Sequence, residues 1–366
     1  MRALVIGGTG PTGQFIVNGL LQRGYEVAIL HRGGHEIPEI PPEVEHIHTD
    51  PYDKTRLEEA LSGRYFDVCV ASYGRLRAIA EVMKAHCDRL LSVGGLPAVR
   101  GYMNPGLFGE AGMPLLLGED AELVTVESDD PKGWRIVKTE QRLFELWPEA
   151  THFRYPIVYG PYQLVPREWC IVRRILDKRP HIILPDGGLS VHSFGYAENL
   201  AHAILLAVDK PDASKGKIYH CADERPLTLR QVVDAIAEHM DHRWDVINMP
   251  WELATPARPL IMQPQTSHRL VDIGRLKSDL GYSDAVPPEI ALGRTADWLC
   301  RNPPAPGGME EQVLQDPFDY RAEDLLIERW QRFLSEWSDV EWSEPPGVGM
   351  AYSGPGGRPR SQKEFQ

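Results

Sequence analysis

A doubly wound α/β fold is what this 366-residue chain predicts, and three observations predict it. Short apolar runs alternate with helical stretches through the first quarter of the sequence. The runs are apolar throughout, as strands buried on both faces of a parallel sheet must be. Glycines at 7, 10 and 13 stand between the first run and the first helix.

The elements follow in order. Residues 2–7 (Arg-Ala-Leu-Val-Ile-Gly) read as the first strand, and Phe15, Ile16, Leu20 and Leu21 mark one stripe of the helix after it. Strands are expected at 26–31, 44–48, 67–72 and 89–93, with helices at 54–61 and 75–87. Such alternation gives a parallel sheet with right-handed crossovers. Residues 96–132 carry Pro97, Pro105, Pro114 and Pro131 among several glycines, and an irregular stretch of that length is usually functional or disordered. A helix at 134–147 and one strand at 152–159 return the chain to the sheet. Further helices are expected at 167–178, 196–208 and 228–240, and strands at 181–184 and 217–222. The pattern loosens from about 243.

Residues 303–308 (Pro-Pro-Ala-Pro-Gly-Gly) read as a linker. Leu326, Trp330, Phe333 and Trp337 then recur at helical spacing over 319–340, a stripe expected to pack on the main body, with a homodimer contact as the alternative. The tail from 343 is rich in Gly, Pro and Ser. Three parts result: 1–161 as the core that carries the glycine turn, 162–300 as the remaining sheet elements with a smaller C-terminal substrate-binding part, and 301–366 as a helical C-terminal extension.

A net charge of −13 disfavours a nucleic-acid partner, which needs a basic surface. Five scattered cysteines with no Cys-x-x-Cys pair suggest neither a disulfide framework nor a zinc site. No apolar run reaches membrane-spanning length, and the first strand breaks at Gly7, too early for a signal peptide; a cytoplasmic protein with a small-molecule substrate and no membrane partner is expected.

The spacing of the glycines has a physical cause. Gly7 allows the tight turn out of the strand, Gly10 lets backbone approach a pyrophosphate, and Gly13 lets the helix pack closely on the sheet. The helix N-terminus then offers amides and a partial positive charge to the phosphates. This is the opening of a Rossmann fold, so a dinucleotide is expected against Gly7, Thr9, Gly10, Pro11, Thr12 and Gly13. Ser72 at the end of the fourth strand is expected to join them. The second strand ends Leu30-His31-Arg32-Gly33-Gly34. It lacks the acid that would take a ribose 2′-hydroxyl, and Arg32, beside His31, suits a 2′-phosphate. NADP is favoured and NAD is possible. Asp50 is placed to meet the adenine edge or to cap the next helix. His46 and His48 face one side of a strand, but the sequence supplies no third ligand, and no metal is expected.

With these residues in view, the chain resembles the extended and atypical short-chain dehydrogenase/reductases, the NAD-dependent epimerase/dehydratase group, over about residues 1–300. The resemblance rests on the glycine turn, on Asp50 and on Arg154-Tyr155-Pro156-Ile157-Val158-Tyr159-Gly160-Pro161. It rests also on Asn199-Leu200-Ala201-His202-Ala203-Ile204 and Asp279-Leu280-Gly281-Tyr282. It implies cofactor contacts from Tyr155, Pro156 and Val158. It also implies a Tyr-x-x-x-Lys pair on the helix after the fifth strand and a Ser or Thr at that strand's end. Here Trp134 stands for the tyrosine, Lys138 is present to hold the nicotinamide ribose, and Gly94 stands where the hydroxyl is expected. An indole cannot exchange a proton near neutral pH. Candidate replacements are Tyr73, Tyr102, Tyr159 and His192. The reading is an NADP(H)-dependent oxidoreductase with a non-standard active site. A redox-neutral epimerase, dehydratase or lyase that retains its dinucleotide, and a non-catalytic NADP sensor, are the rivals.

Overall fold

A computed structural model describes residues 1–72, 75–109, 112–337 and 340–344. The chain divides into two compact units, Met1–Pro317 and Phe318–Gln366. The first opens with β1 (Arg2–Ile6), α1 (Gly13–Gln22), β2 (Glu26–His31), β3 (Glu45–His48), α2 (Lys54–Leu61), β4 (Phe66–Ala71), α3 (Leu76–Met83) and β5 (Cys87–Gly95). After the long connection come α4 (Pro131–Leu146), β6 (Thr151–Tyr155), β7 (Ile157–Tyr159), α5 (Trp169–Leu176), β8 (His181–Pro185), β9 (Val191–His192), β10 (Phe194–Tyr196) and α6 (Ala197–Asp209). The unit ends with α7 (Pro211–Ser214), β11 (Ile218–His220), β12 (Leu227–Thr228), α8 (Leu229–His239), β13 (Asp245–Met249), α9 (Arg258–Ile261), α10 (Gly274–Leu280), α11 (Pro288–Arg301) and α12 (Met309–Leu314).

Seven strands form the central sheet in the order β11-β6-β5-β4-β1-β2-β3, every neighbouring pair parallel. The chain order reverses between β1 and β4, and ligands of open α/β sheets sit at the carboxyl ends of the strands at such a switch point. The pleat divides the core. Ala3 and Val5 of β1 pack toward Ile16, Val17 and Leu20 of α1 and Leu200 and Ile204 of α6. Leu4 and Ile6 pack toward Leu57 of α2, Ile79 and Met83 of α3 and Leu143 of α4.

Among the stretches that differ from the sequence expectation, two bear on the site's surroundings. The strand expected at 152–159 is two strands in different sheets, because Pro156 lacks the amide that a continuous ladder needs: β6 joins the main sheet and β7 pairs with β10. The loosened region after 243 contains β13, parallel to β8 in a sheet of its own, and the 14-residue helix α11. The long connection is held by bridges Val99–Leu123 and Leu117–Val271. In the second unit, α13 (Tyr320–Glu336) is capped by Asp319, which accepts from the Ala322 amide. Along it Trp330 stacks on Phe333 with centroids 5.5 Å apart, and Trp337 follows at 5.6 Å from Phe333. No helix among the described residues is long and apolar enough to cross a membrane.

The glycine turn predicts its own mutational contrast. A Cβ at Gly13 would lie 2.2 Å from the Gly8 carbonyl oxygen and 2.8 Å from its Cα, whereas one at Gly10 would meet only the Gly7 oxygen at 3.6 Å. Gly13→Ala is expected to cost about 3 kcal/mol in urea unfolding, as backbone cannot yield as a side chain does. Gly10→Ala is expected to stay within about 0.5 kcal/mol.

Candidate dinucleotide and substrate site

The turn from β1 into α1 is tied together by its own backbone. Gly7, at φ 92°, donates its amide to Leu30 at 3.0 Å, Gly10 donates to Gly7 at 3.3 Å and Gly13 to Gly10 at 2.9 Å. Thr12 precedes α1 and makes no side-chain cap, so the helix entrance keeps its anion-attracting character. Thr9 and Thr12 are buried and Pro11 half-buried. Tyr155 lies beneath: it is buried, donates its hydroxyl to Leu200 O at 3.2 Å and also bonds the Thr12 side chain, so it braces the turn. Burial pushes its phenol well above the ordinary range. Pro156 breaks the strand just beyond it, and Val158 is half-buried in β7.

Around the strand tips the neighbouring candidates take separate jobs. Ser72 donates its hydroxyl to Ile6 O at 3.1 Å. Asp50 accepts from the Tyr52 amide at 3.0 Å in a local turn, and Asp53, not Asp50, caps α2. Arg32 is exposed, its guanidinium 5.8 Å from the Tyr52 ring centroid. Arg75, at the start of α3, approaches the same ring at 5.5 Å. Neither cation has a carboxylate partner among the described residues. The sequence reading missed Arg75 and Tyr52 because they follow β4 and β3, and only the strand order brings them to Arg32. Tyr73 lies outside the described residues.

His31 is buried, and the parallel register sets it opposite His48. Its Nε2 is 3.0 Å from His46 Nδ1, and its Nδ1 accepts from the Gly33 amide at 3.3 Å. Burial, then the neighbouring His48 and His46, lower its pKa. Glu36 reaches in from the connection after β2, with Oε1 3.2 Å from His48 Nε2 and 3.7 Å from His46 Nδ1.

The helix expected to carry the proton relay holds something else. Trp134 is half-buried against Ala98, Val124 and Val137. Lys138 is exposed, its Nζ bonded to Gln141 Oε1 at 3.1 Å and 6.0 Å from the Trp134 ring. A side chain at Gly94 would run into His152, whose Nε2 lies 2.5 Å from the Cβ position. His152 instead links Ser92 Oγ (2.8 Å from Nδ1) to Glu140 Oε1 (3.2 Å from Nε2). Arg154 grips both oxygens of Glu140 at 2.9 and 2.7 Å, and its third nitrogen meets His220 Nε2 at 3.2 Å. His220 Nδ1 in turn donates to Leu117 O at 3.0 Å. Burial pushes the Glu140 carboxyl up, but the neighbouring His152 ring and the Arg154 hydrogen bonds outweigh it and hold it at about 2. The string is buried from end to end and pins α4 and the long connection to β6 and β11.

The remaining candidates are also bound. Tyr102 is buried with the Arg269 guanidinium 5.3 Å from its ring, and burial raises its pKa despite that charge. Tyr159 donates to Asp223 Oδ2 at 2.7 Å, and Asp223 also accepts from Asn199 and the Tyr196 amide. His192 Nε2 lies 2.8 Å from Ser267 O, and burial drives its pKa down to about 3. Tyr159 and His192 border one narrow crevice with Arg167, Phe194 and Asp223. A separate cavity of about 310 Å³ is lined by Met113, Leu115, Asp186, Ser190, Thr266 and His268 among others. Its Ser190 and Thr266 hydroxyls have no hydrogen-bond partner among the described residues.

Two predictions follow from this geometry. A Cβ at Gly10 meets only the Gly7 oxygen at 3.6 Å, so Gly10→Glu is expected to fold while its carboxylate lowers dinucleotide affinity in calorimetry; unchanged affinity in the folded variant would move the expected site elsewhere. His192, held near 3, and His220, held at about 4 chiefly by burial, are both depressed below the ordinary 6.5. Their contribution to stability is complete above pH 6.5 and is lost as pH falls through about 4 for His220 and about 3 for His192. The unfolding free energy should drop over that window, and His192→Gln should flatten the slope; an unaltered slope would contradict the assignment.

The comparisons with known proteins agree with this architecture. Residues 142–222 match the model of the NAD dependent epimerase/dehydratase family. A Streptomyces protein, 3-diazoavenalumate denitrifying reductase, is 29% identical over 249 residues, covering 63% of this chain and 79% of its own. The chloroplast stem-loop binding protein of 41 kDa b from Arabidopsis thaliana is 25% identical over 255 residues; the alignment covers 65% of this chain and 62% of that protein. Among solved structures, UDP-glucose 4-epimerase from Thermotoga maritima superposes with a TM-score of 0.66 at 16% identity, over 82% of this chain and 99% of that one. UDP-glucuronic acid 4-epimerase from Bacillus cereus, solved in complex with NAD, gives 0.62 at 16% identity, over 82% and 99%. A segment of this chain thus matches the NAD dependent epimerase/dehydratase model, and its fold is that of the solved UDP-sugar epimerases.

Proposed function

We propose that the chain is an NADP(H)-dependent oxidoreductase that acts on a small organic substrate without a Tyr-Lys relay. The observation that carries the choice of cofactor is the pair Arg32 and Arg75, whose guanidinium groups lie 5.8 and 5.5 Å from the Tyr52 ring centroid and which have no carboxylate partner among the described residues. Two guanidinium groups held beside an aromatic ring suit a 2′-phosphate next to adenine. The rest of the cradle fits the same ligand. Gly10 leaves open space over the turn, and the α1 entrance is uncapped. Gly7, Thr9, Gly10, Pro11, Thr12 and Gly13 would line the pyrophosphate, and Ser72 would stand near the centre of the cleft. The bound cofactor supplies hydride chemistry at its nicotinamide.

Reduction suits the site better than epimerisation. Epimerisation through a keto intermediate calls for one group that takes the proton and returns it within a single binding event, and the position that would hold that group carries Trp134, whose indole cannot exchange a proton near neutral pH. His152 fills the space that a hydroxyl at 94 would use, so exchanging Gly94 for Ser would not rebuild the usual pair. A reduced product can take its proton from water. The cavity beside β9, with two unpartnered hydroxyls and an apolar wall from Met113 and Leu115, is the place for a small polar organic molecule. The Streptomyces relative also carries a reductase name.

Losing one charge-assisted phosphate contact costs about 1.5–3 kcal/mol. Arg32→Ala and Arg75→Ala should therefore each weaken NADPH binding by about tenfold or more while NADH affinity changes by less than about threefold. Fluorescence titration of both cofactors measures this, and equal losses for the two would remove the 2′-phosphate assignment. The reaction itself is tested by mixing the chain and NADPH with a panel of aldehydes, ketones and enones. Loss of reduced-nicotinamide absorbance with formation of a reduced product supports the reading. Product formation with no net absorbance change would replace it with a redox-neutral reaction.

A further inference from the structure

We propose that His31, Glu36, His46 and His48 form a binding site for a divalent transition-metal ion, zinc by the chemistry of the donors. The four side chains each place one nitrogen or oxygen so that all the donor atoms lie within 4.8 Å of one another. The closest approaches are 3.0 Å (His31 to His46), 3.2 Å (His48 to Glu36) and 3.7 Å (His46 to Glu36). A tetrahedral zinc with bonds of about 2.0–2.1 Å separates its ligands by roughly 3.3 Å, so the set needs only small movements to close on an ion. Three imidazoles and one carboxylate are ligands that zinc accepts, whereas magnesium and calcium call for oxygen.

The backbone explains why the donors converge. His46 and His48 alternate along β3 and so share a face, and the register of β2 against β3 sets His31 directly beside His48. The connection from 32 to 44 then returns Glu36 over the same face. Three histidine rings packed edge to face, with centroids 4.8 to 5.9 Å apart, repel one another when protonated, and a single carboxylate offsets one of them. A metal ion turns that crowding into coordination. Loading moves the His31 proton from Nε2 to Nδ1, which releases the long 3.3 Å bond from the Gly33 amide. Gly33, at φ 76°, is free to turn the amide away. The ion would tie the 32–44 connection to the strand tips one residue from Arg32, and the assignment stands independently of the nucleotide.

The test uses the untagged full-length chain, stripped with a chelator and titrated with Co²⁺ alone, followed by Zn²⁺ in competition with a chromophoric chelator. One equivalent of Co²⁺ per chain, with the intense visible bands of tetrahedral cobalt and displacement by Zn²⁺, is expected. His48→Ala and Glu36→Gln change exposed or half-exposed side chains and should fold. Each should weaken Zn²⁺ by roughly tenfold or more, and Zn²⁺ should raise the melting temperature of the wild-type chain more than that of either variant. Sub-stoichiometric cobalt, octahedral spectra or wild-type zinc affinity in both variants would overturn the site.

Discussion

The contact between Gly13 and Gly8 sets the position of everything that follows. With no side chain at either point, α1 enters directly against the turn out of β1, its first residue in van der Waals contact with backbone. That approach aims the helix entrance at the switch point between β1 and β4, where a parallel sheet of this order presents a crevice. Tyr155 holds the arrangement from below through Thr12 and Leu200 O. A methyl group at residue 13 would meet the Gly8 backbone and push the helix entrance away from the turn.

A second constraint ties α4 and the long connection to the sheet. The buried string Ser92–His152–Glu140–Arg154–His220–Leu117 joins β5, β6, β11, α4 and the long connection. Breaking a buried pair such as Glu140–Arg154 leaves an uncompensated charge, so the string fixes these elements strongly whatever its net energy. It also explains the missing hydroxyl at 94. The space there belongs to His152, and the protein uses the end of β5 for architecture where a relay residue would otherwise stand.

Much of this was legible in the sequence, and the boundary has physical reasons. The buried runs, the glycine turn and the alternation of strand and helix are local signals, and the sheet follows from them. Arg32 was readable because it directly follows a strand. Arg75 and Tyr52 were not, since their meeting depends on which strands are neighbours. The same holds for Glu36 and His31: the alternation of His46 and His48 was visible, but the partners arrive through register and a returning loop. Glu140 and His152 carried no motif, and Pro156 looked like part of one strand until its missing amide split the ladder. Helix α11 begins at Pro288 directly after Pro287, a start signal that went unread within a stretch that otherwise lacked clear periodicity.

A dinucleotide docked on the glycine turn with its 2′-phosphate between Arg32 and Arg75 is the proposal on which the functional reading rests. Calorimetric affinities of the wild-type chain for NADP⁺ and NAD⁺, under identical salt, test it most directly. NADP⁺ is expected to bind the tighter by at least about tenfold, the value of one charge-assisted phosphate contact. Equal affinities, or NAD⁺ the tighter, would contradict it.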